Sequence, residues 1–210
     1  MWAQVKNEQV IEIYNGAKAI KIGDYQYPSG IFSKWSKSEL AEIGVYPVQQ
    51  DRTNFKNNEF YRNTNHSYSF DADNNVVKMT WGTATAHSLT DVNATDEDGN
   101  AVLDSEGNQV VYEGLKTVKK KKINDQARNI LNETDWYVIK ASEVSDYTIP
   151  TNIANFRAAV RTKCNAMQTQ IDNASDADAL QTLFTYTNTG TEDDPNMTRP
   201  LGEFPKLEDF

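Results

Sequence analysis

The chain has a single cysteine, Cys164, and only two histidines, His66 and His87, among its 210 residues. One cysteine cannot form an internal disulfide, and this set cannot make a four-ligand zinc site unless carboxylates join it. No stretch approaches the roughly 20 consecutive apolar residues that a membrane-spanning helix requires. We therefore expect no metal, no cofactor and no membrane span.

The chain also lacks an excess of positive charge, since 30 acidic residues outnumber 21 basic ones and give a net charge of -9. Phosphate backbones and anionic membranes are bound by positive surfaces, so we expect neither nucleic acid nor membrane as a partner. Residues 1–30 show no charged start followed by an apolar core of the secretory type. This predicts a protein made and kept in a reducing cytoplasm.

Motifs for catalysis are missing as well. The sequence has neither a glycine-rich phosphate loop nor a Gly-x-Ser-x-Gly elbow. Carboxylates alternate before a glycine in Asp96–Asn100, as in a calcium loop, but Gly107 stands at the twelfth position, where such loops need an acid. Paired carboxylates for sugar hydrolysis need only be close in space, and nothing singles out a pair. We predict a protein that is not an enzyme.

Residues 1–90 have the pattern of a β-rich module with one short helix. Three pairs of β-rich runs separated by turn residues predict hairpins: Trp2–Val5 with Val10–Tyr14, Ala19–Ile22 with Tyr25–Tyr27, and Tyr68–Phe70 with Val77–Trp81. Ser36 and Glu39 form a capping box, which predicts a helix that ends at Gly44. Pro47 lacks an N–H group, so we expect Val45–Val48 at a sheet edge or strand end.

Residues 91–122 change in character. The segment Asp96–Val102 repeats as Asp104–Val110 with a spacing of eight, and each copy places a β-branched residue after an acidic turn. This predicts a charged connector or β-ribbon arm, followed by the basic run Lys119–Lys122. The charged segment is either a partner-contact site or a solvated boundary between modules, and we favour the boundary.

Residues 123–186 have helical periodicity. Apolar residues three or four apart predict a first helix from Ile123 and a longer second one, whose stripe consists of Ile153, Phe156, Val160, Cys164, Met167 and Ile171. The first helix offers few apolar residues, so we expect it to leave part of this stripe open to another chain. Residues 187–210 form an acidic, proline-containing tail, which is typical of disorder unless a partner or neighbour holds it.

Two stretches together resemble phage tail proteins of the tail-fibre and tail-fibre-assembly, or tail-chaperone-like, type. The first is Trp35–Val48, which contains a short helix followed by Gly-Val-Tyr-Pro-Val. The second is Arg128–Trp136, followed by Pro150 and then by Phe156-Arg157-Ala-Ala-Val160-Arg161. Asn132 stands where the family pattern has a second leucine, and Phe156 replaces its usual tyrosine.

This resemblance implies a virion tail component, associated with the tail fibre or baseplate, that acts through contacts with other tail proteins and is present in several copies. A tail-fibre assembly chaperone absent from the finished particle is the first alternative, and a receptor-binding fibre domain is the second. Residues expected to make contacts between helices or chains are Asp135, Trp136, Phe156, Arg157, Val160, Arg161 and Met167. Asp135 can pair with Arg157 or with Arg161.

The sequence as a whole predicts an α+β fold in four parts. These parts are a β-rich module at 1–90, a charged connector at 91–122, a helical hairpin module at 123–186 and a tail at 187–210.

Overall fold

The structure, a computed structural model, describes all residues from 1 to 210 and shows the mixed α+β fold that the sequence predicts. The chain divides into two compact units, Met1–Thr85 and Ala86–Phe210. Strands dominate the first unit, and the four longest helices lie in the second. None of the helices is both long and apolar enough to cross a membrane.

The first unit contains short strands and two short helices. In chain order they are β1 (Trp2–Lys6), β2 (Gln9–Tyr14), β3 (Ile20–Ile22), β4 (Tyr25–Tyr27), α1 (Ile31–Lys34), α2 (Lys37–Glu42), β5 (Val45–Asp51), β6 (Tyr61–Arg62), β7 (Ser67–Asp71) and β8 (Val76–Thr80), with β9 (Thr85–Ala86) at the boundary. The three predicted hairpins are confirmed as β1–β2, β3–β4 and β7–β8.

The main sheet has the order β2-β1-β5-β8-β7. Of the two positions predicted for Val45–Val48, the sheet edge is therefore wrong, and these residues begin the central strand β5. The two neighbours of β5 are staggered along it. Strand β1 pairs with Val45–Pro47, whereas β8 pairs in parallel only from Val48 onward. The N–H of Val48 donates to Met1 on the β1 side, so the nitrogen of Pro47 faces the opposite side, where β8 has not yet begun. A central strand therefore accommodates a proline without losing a ladder hydrogen bond.

Helix α2 begins and ends as predicted. The hydroxyl of Ser36 accepts the N–H of Glu39, and the Glu39 carboxylate accepts the N–H of Ser36. Leu40 packs from this helix into a buried cluster with Tyr14, Ile31 and other apolar residues. Gly44 follows with a φ of 76°, and its carbonyl accepts the N–H of Val5 at 2.8 Å.

Replacing Gly44 by alanine should destabilise the first unit by about 1–2 kcal/mol or more, because an L-residue disfavours this φ. The added Cβ would also lie 2.8 Å from the carbonyl oxygen of Val5. Urea unfolding followed by tryptophan fluorescence reports mainly on this unit, which holds Trp2, Trp35 and Trp81. Gly16→Ala is the control, because its Cβ would enter open space. Equal stabilities for the two variants would contradict this account.

The second unit contains a small β-knob, four helices and a folded end segment. Its elements are β10 (Val92–Asn93), β11 (Val111–Tyr112), α3 (Leu115–Asn132), α4 (Asp135–Glu143), α5 (Thr151–Asn173), α6 (Ala177–Phe184), β12 (Thr187–Asn188), β13 (Met197–Thr198) and a 3-10 turn, Leu207–Asp209. Helix α3 begins at Leu115 and not at the predicted Ile123, so the basic run Lys119–Lys122 is helical. Lys119 is buried, and its ammonium group lies 4.7 Å from the centre of the Phe184 ring.

The apolar stripe of α5 forms the core of the second unit. All six residues of the predicted stripe are buried. The expectation of an open stripe is therefore wrong, because more than α3 covers it. Helices α3 and α6 and the end segment all pack against α5.

Residues 187–210 are folded against the helices, contrary to the disorder that their composition favours. Strands β12 and β13 pair in antiparallel fashion, and Leu201 is fully buried. The ring of Phe210 contacts that of Phe156 edge-on, with their centres 5.8 Å apart. A neighbour within the same chain thus holds the tail.

Residues 92–112 form the β-knob, which contains the eight-residue repeat. Three of its residues are joined to one another by backbone hydrogen bonds. Ala94 donates its N–H to Val110, Val110 donates to Val102, and Val102 donates to Ala94, at 2.8–3.0 Å. The side-chain amide of Gln109 donates to the carbonyl oxygens of all three, at 2.8–3.2 Å. The predicted β-ribbon is present as the antiparallel pair β10–β11, and the repeat folds back on itself beyond it.

The two acidic turns of the knob are formed as predicted. The carboxylate of Asp96 accepts the backbone N–H groups of Asp98 and Asn100, and that of Asp104 accepts those of Glu106 and Asn108. These bonds, with those to Asn100 and Asn108 the strongest, hold the pKa of both carboxyls below the usual range.

A lowered pKa in the folded state means that each carboxylate stabilises its turn above the unfolded pKa of about 4. The stabilisation is lost as the pH falls through the folded value. We expect the amide NMR signals of Asn100 and Asn108 to titrate with midpoints below about 4. Asp96→Asn should abolish the titration at Asn100 and keep that at Asn108. Midpoints at or above the ordinary aspartate value would show that the carboxylates do not hold the turns.

Candidate interaction surface

A buried arginine joins α3, α4 and α5 in the second unit. Arg157, only 7% exposed, lies on α5. Its Nη1 donates to the carbonyl oxygen of Leu131 at 2.8 Å and to the hydroxyl of Thr134 at 2.6 Å. Its Nη2 lies 2.7 Å from the Asp135 carboxylate. We call these four residues the Arg157 clasp.

The clasp uses the planar, forked geometry of a guanidinium, which presents several donors in fixed directions. The Thr134 hydroxyl is itself a donor to the carbonyl of Leu131, at 3.0 Å, so the end of α3 and the start of α4 share one hydrogen-bonded network. Of the two ion pairs that the sequence allows, the structure forms Asp135–Arg157. Asp135 keeps part of its carboxylate in solvent, so only one of the two charges is strongly desolvated.

A groove of about 400 Å³ runs between α3 and α5 beside the clasp. Its walls carry the cations Arg128 and Arg161 together with amide side chains such as Asn124 and Gln168. Gln168 donates to the Asn124 side chain at 3.0 Å, which links α5 to α3 close to Cys164. Polar and charged side chains predominate among the residues that line the groove, with Ala127, Leu131 and Cys164 between them.

Helix α4 contains no buried residue. Trp136 is 51% exposed and Ile139 is 54% exposed, and Val138 is also exposed. The ammonium group of Lys140 lies 5.6 Å from the Trp136 ring and 4.3 Å from the Tyr147 ring, which limits the freedom of the indole. We call the exposed side chains of Trp136, Val138 and Ile139 the α4 surface.

The structure places only part of the predicted contact set in or near the clasp, the groove and the α4 surface. Asp135, Trp136, Arg157 and Arg161 lie in or beside the clasp and groove. Phe156, Val160 and Met167 are buried in the core with at most 2% of their surface exposed, so they hold the unit together and do not form a contact surface. Their position on the apolar stripe was the signal for this burial.

Two features of the site were not predicted from the sequence. Thr134 is buried and its hydroxyl accepts a hydrogen bond from Arg157, a partner 23 residues away in the sequence. Val138 and Ile139 are exposed on α4, a helix that was not predicted. If Trp136–Ile139 is taken as part of a helix, its consecutive apolar residues point in different directions around the axis. A short helix cannot bury all of them, so this pattern would have predicted exposed apolar side chains.

Comparisons with models of protein families, with curated proteins and with solved structures find no match for this chain. The resemblance to phage tail proteins therefore rests on the two sequence motifs alone.

Replacing Arg157 by methionine should destabilise the second unit by about 1.5–3 kcal/mol, because charged hydrogen bonds to Leu131 and Thr134 are lost. Arg161→Met, at an exposed position one turn away, should change stability by less than about 0.5 kcal/mol. Urea unfolding followed by far-ultraviolet circular dichroism measures this loss, since the long helices all lie in the second unit. A similar, small effect for both variants would show that the clasp does not hold the helices.

Proposed function

We propose that this protein is a structural or adaptor component of a bacteriophage virion tail, associated with the tail fibre or baseplate, and that it acts through protein–protein contacts. The proposal draws on the motif from Arg128 to Trp136, which resembles such proteins. In the structure this motif spans the end of α3, the clasp and the start of α4.

The observation that carries the proposal is the α4 surface, three apolar side chains of one short helix that are exposed to solvent. Tryptophan is enriched among the residues that dominate binding energy at protein interfaces. The clasp fixes the start of α4, so the surface is ordered before a partner arrives, and less conformational entropy is lost on binding. These properties suit a permanent contact within an assembled particle.

The first test is peptide mass spectrometry of purified particles from the phage that encodes the chain. A tail component should give peptides from both units in amounts comparable to those of other tail proteins. Abundant peptides in the lysate together with their absence from particles would overturn the proposal and favour the assembly chaperone.

The second test asks whether the α4 surface makes the contact. Trp136→Ala should lower incorporation into particles at least tenfold, since a hot-spot tryptophan contributes about 2 kcal/mol or more. Tyr25→Ala is the matched control, because Tyr25 is an exposed aromatic residue of the first unit. Quantitative immunoblotting of particles against lysate measures the ratio. Equal incorporation of both variants would exclude the α4 surface as the attachment site.

A further inference from the structure

The loop between β2 and β3, residues 15–19, contains the only Asn-Gly pair of the sequence, Asn15-Gly16. Every residue of this loop is exposed to solvent. Asparagine is one of the chemically labile residues, because its side-chain carbonyl carbon, Cγ, can react with the backbone nitrogen of the next residue. This attack requires a nitrogen that is not held by a hydrogen bond and a backbone that can rotate towards Cγ.

The backbone nitrogen of Gly16 meets both requirements. Its N–H makes no hydrogen bond within the chain, and neither does the side-chain amide of Asn15. Apart from its chain neighbours, no atom lies within 4 Å of the position that a Cβ on Gly16 would occupy, so the surroundings do not crowd the reacting groups. Glycine also has the widest choice of φ and ψ, so little strain opposes the rotation.

The β-knob contains comparable residues that are held in place. Asp98 also precedes a glycine, but the N–H of Gly99 donates to the carbonyl of Asp96 at 3.1 Å. The backbone N–H and the side-chain amide of Asn100 both donate to the Asp96 carboxylate, at 2.8 and 3.2 Å. Ring closure at either residue would break such bonds, whereas at Asn15 none is lost.

We propose that Asn15 is a site of spontaneous modification, at which asparagine is converted to aspartate. The nitrogen of Gly16 bonds to Cγ of Asn15, the Cγ–Nδ2 bond breaks, and ammonia leaves with the proton of the Gly16 N–H. Water then opens the cyclic imide. Its attack at Cγ leaves an ordinary aspartate, and its attack at the main-chain carbonyl carbon leaves a β-linked aspartate, in which the main chain runs through Cγ. Water is the only co-reactant, and nothing is oxidised or reduced.

Either product alters the first unit at a defined place. Both add a negative charge to a chain whose net charge is already -9. The β-linkage also inserts a carbon atom into the main chain between Tyr14 and Ile20, which both belong to the buried cluster of this unit. The proposal concerns a different unit from the α4 surface and does not rest on the proposed function.

Peptide mass spectrometry of the folded protein, after prolonged incubation at neutral and at mildly alkaline pH, tests the proposal. Trypsin releases residues 7–18, so Asn7 and Asn15 are compared within one peptide. The modified fraction at Asn15 should rise with time and should rise faster at the higher pH, because the Gly16 nitrogen attacks in its deprotonated form. Asn7 and the hydrogen-bonded Asn100 should stay unmodified over the same period.

Gly16→Ala is the matched variant, because its Cβ enters open space while the methyl group hinders the attack. The modified fraction at Asn15 in this variant should fall to that at Asn7. A synthetic peptide of residues 7–18 gives the rate of an unrestrained chain, and the folded protein should react at a comparable rate. Modification at Asn15 no faster than at Asn7 would overturn the proposal. Modification confined to the peptide would overturn it as well, because the fold would then restrain the loop.

Discussion

The meeting of α3, α4 and α5 depends on the requirements of one buried charge, that of Arg157. Arg157 is the only charged side chain among the buried residues of α5. A buried guanidinium needs both a counter-charge and partners for its remaining donors, or the cost of removing it from water is not offset. The carbonyl of Leu131, the hydroxyl of Thr134 and the carboxylate of Asp135 supply them within one short segment. The path of the chain from α3 to α4 is thereby fixed around α5.

The same requirement explains why a helix as exposed as α4 has a defined position. It has no core of its own, and its apolar residues Trp136, Val138 and Ile139 remain in solvent. Burial cannot hold such a helix, so the polar network at its first turn must contribute much of its order. An apolar surface held at one end by hydrogen bonds is available to a partner without unfolding anything. This separation of a buried core from a free contact surface links the fold to the proposed role.

Local patterns predicted much of the first unit and part of the second. The hairpins and the capping box of Ser36 and Glu39 depend on residues near in sequence, so the pattern was sufficient.

The position of Pro47 in a central strand depends on the stagger of β1 and β8, which no local pattern records. The early start of α3 was hidden because Lys119 looks solvated, although it packs against the Phe184 ring. Similarly, the apolar stripe of α5 was recognised, but its cover comes from distant segments. Of the candidate site, the Asp135–Arg157 pair was foreseen, whereas the exposed helix was not.

The most direct test of this account is hydrogen exchange of the intact protein, measured by mass spectrometry on peptides from α4 and α5. If the clasp orders α4, its amides should exchange faster than those of the buried α5 yet measurably slower than those of an unfolded chain. In Arg157→Met the protection of α4 should be lost, while that of the centre of α5 should largely persist. An α4 that exchanges at the unfolded rate in the wild-type protein, or keeps its protection in the variant, would contradict the claim that this one arginine positions the exposed helix.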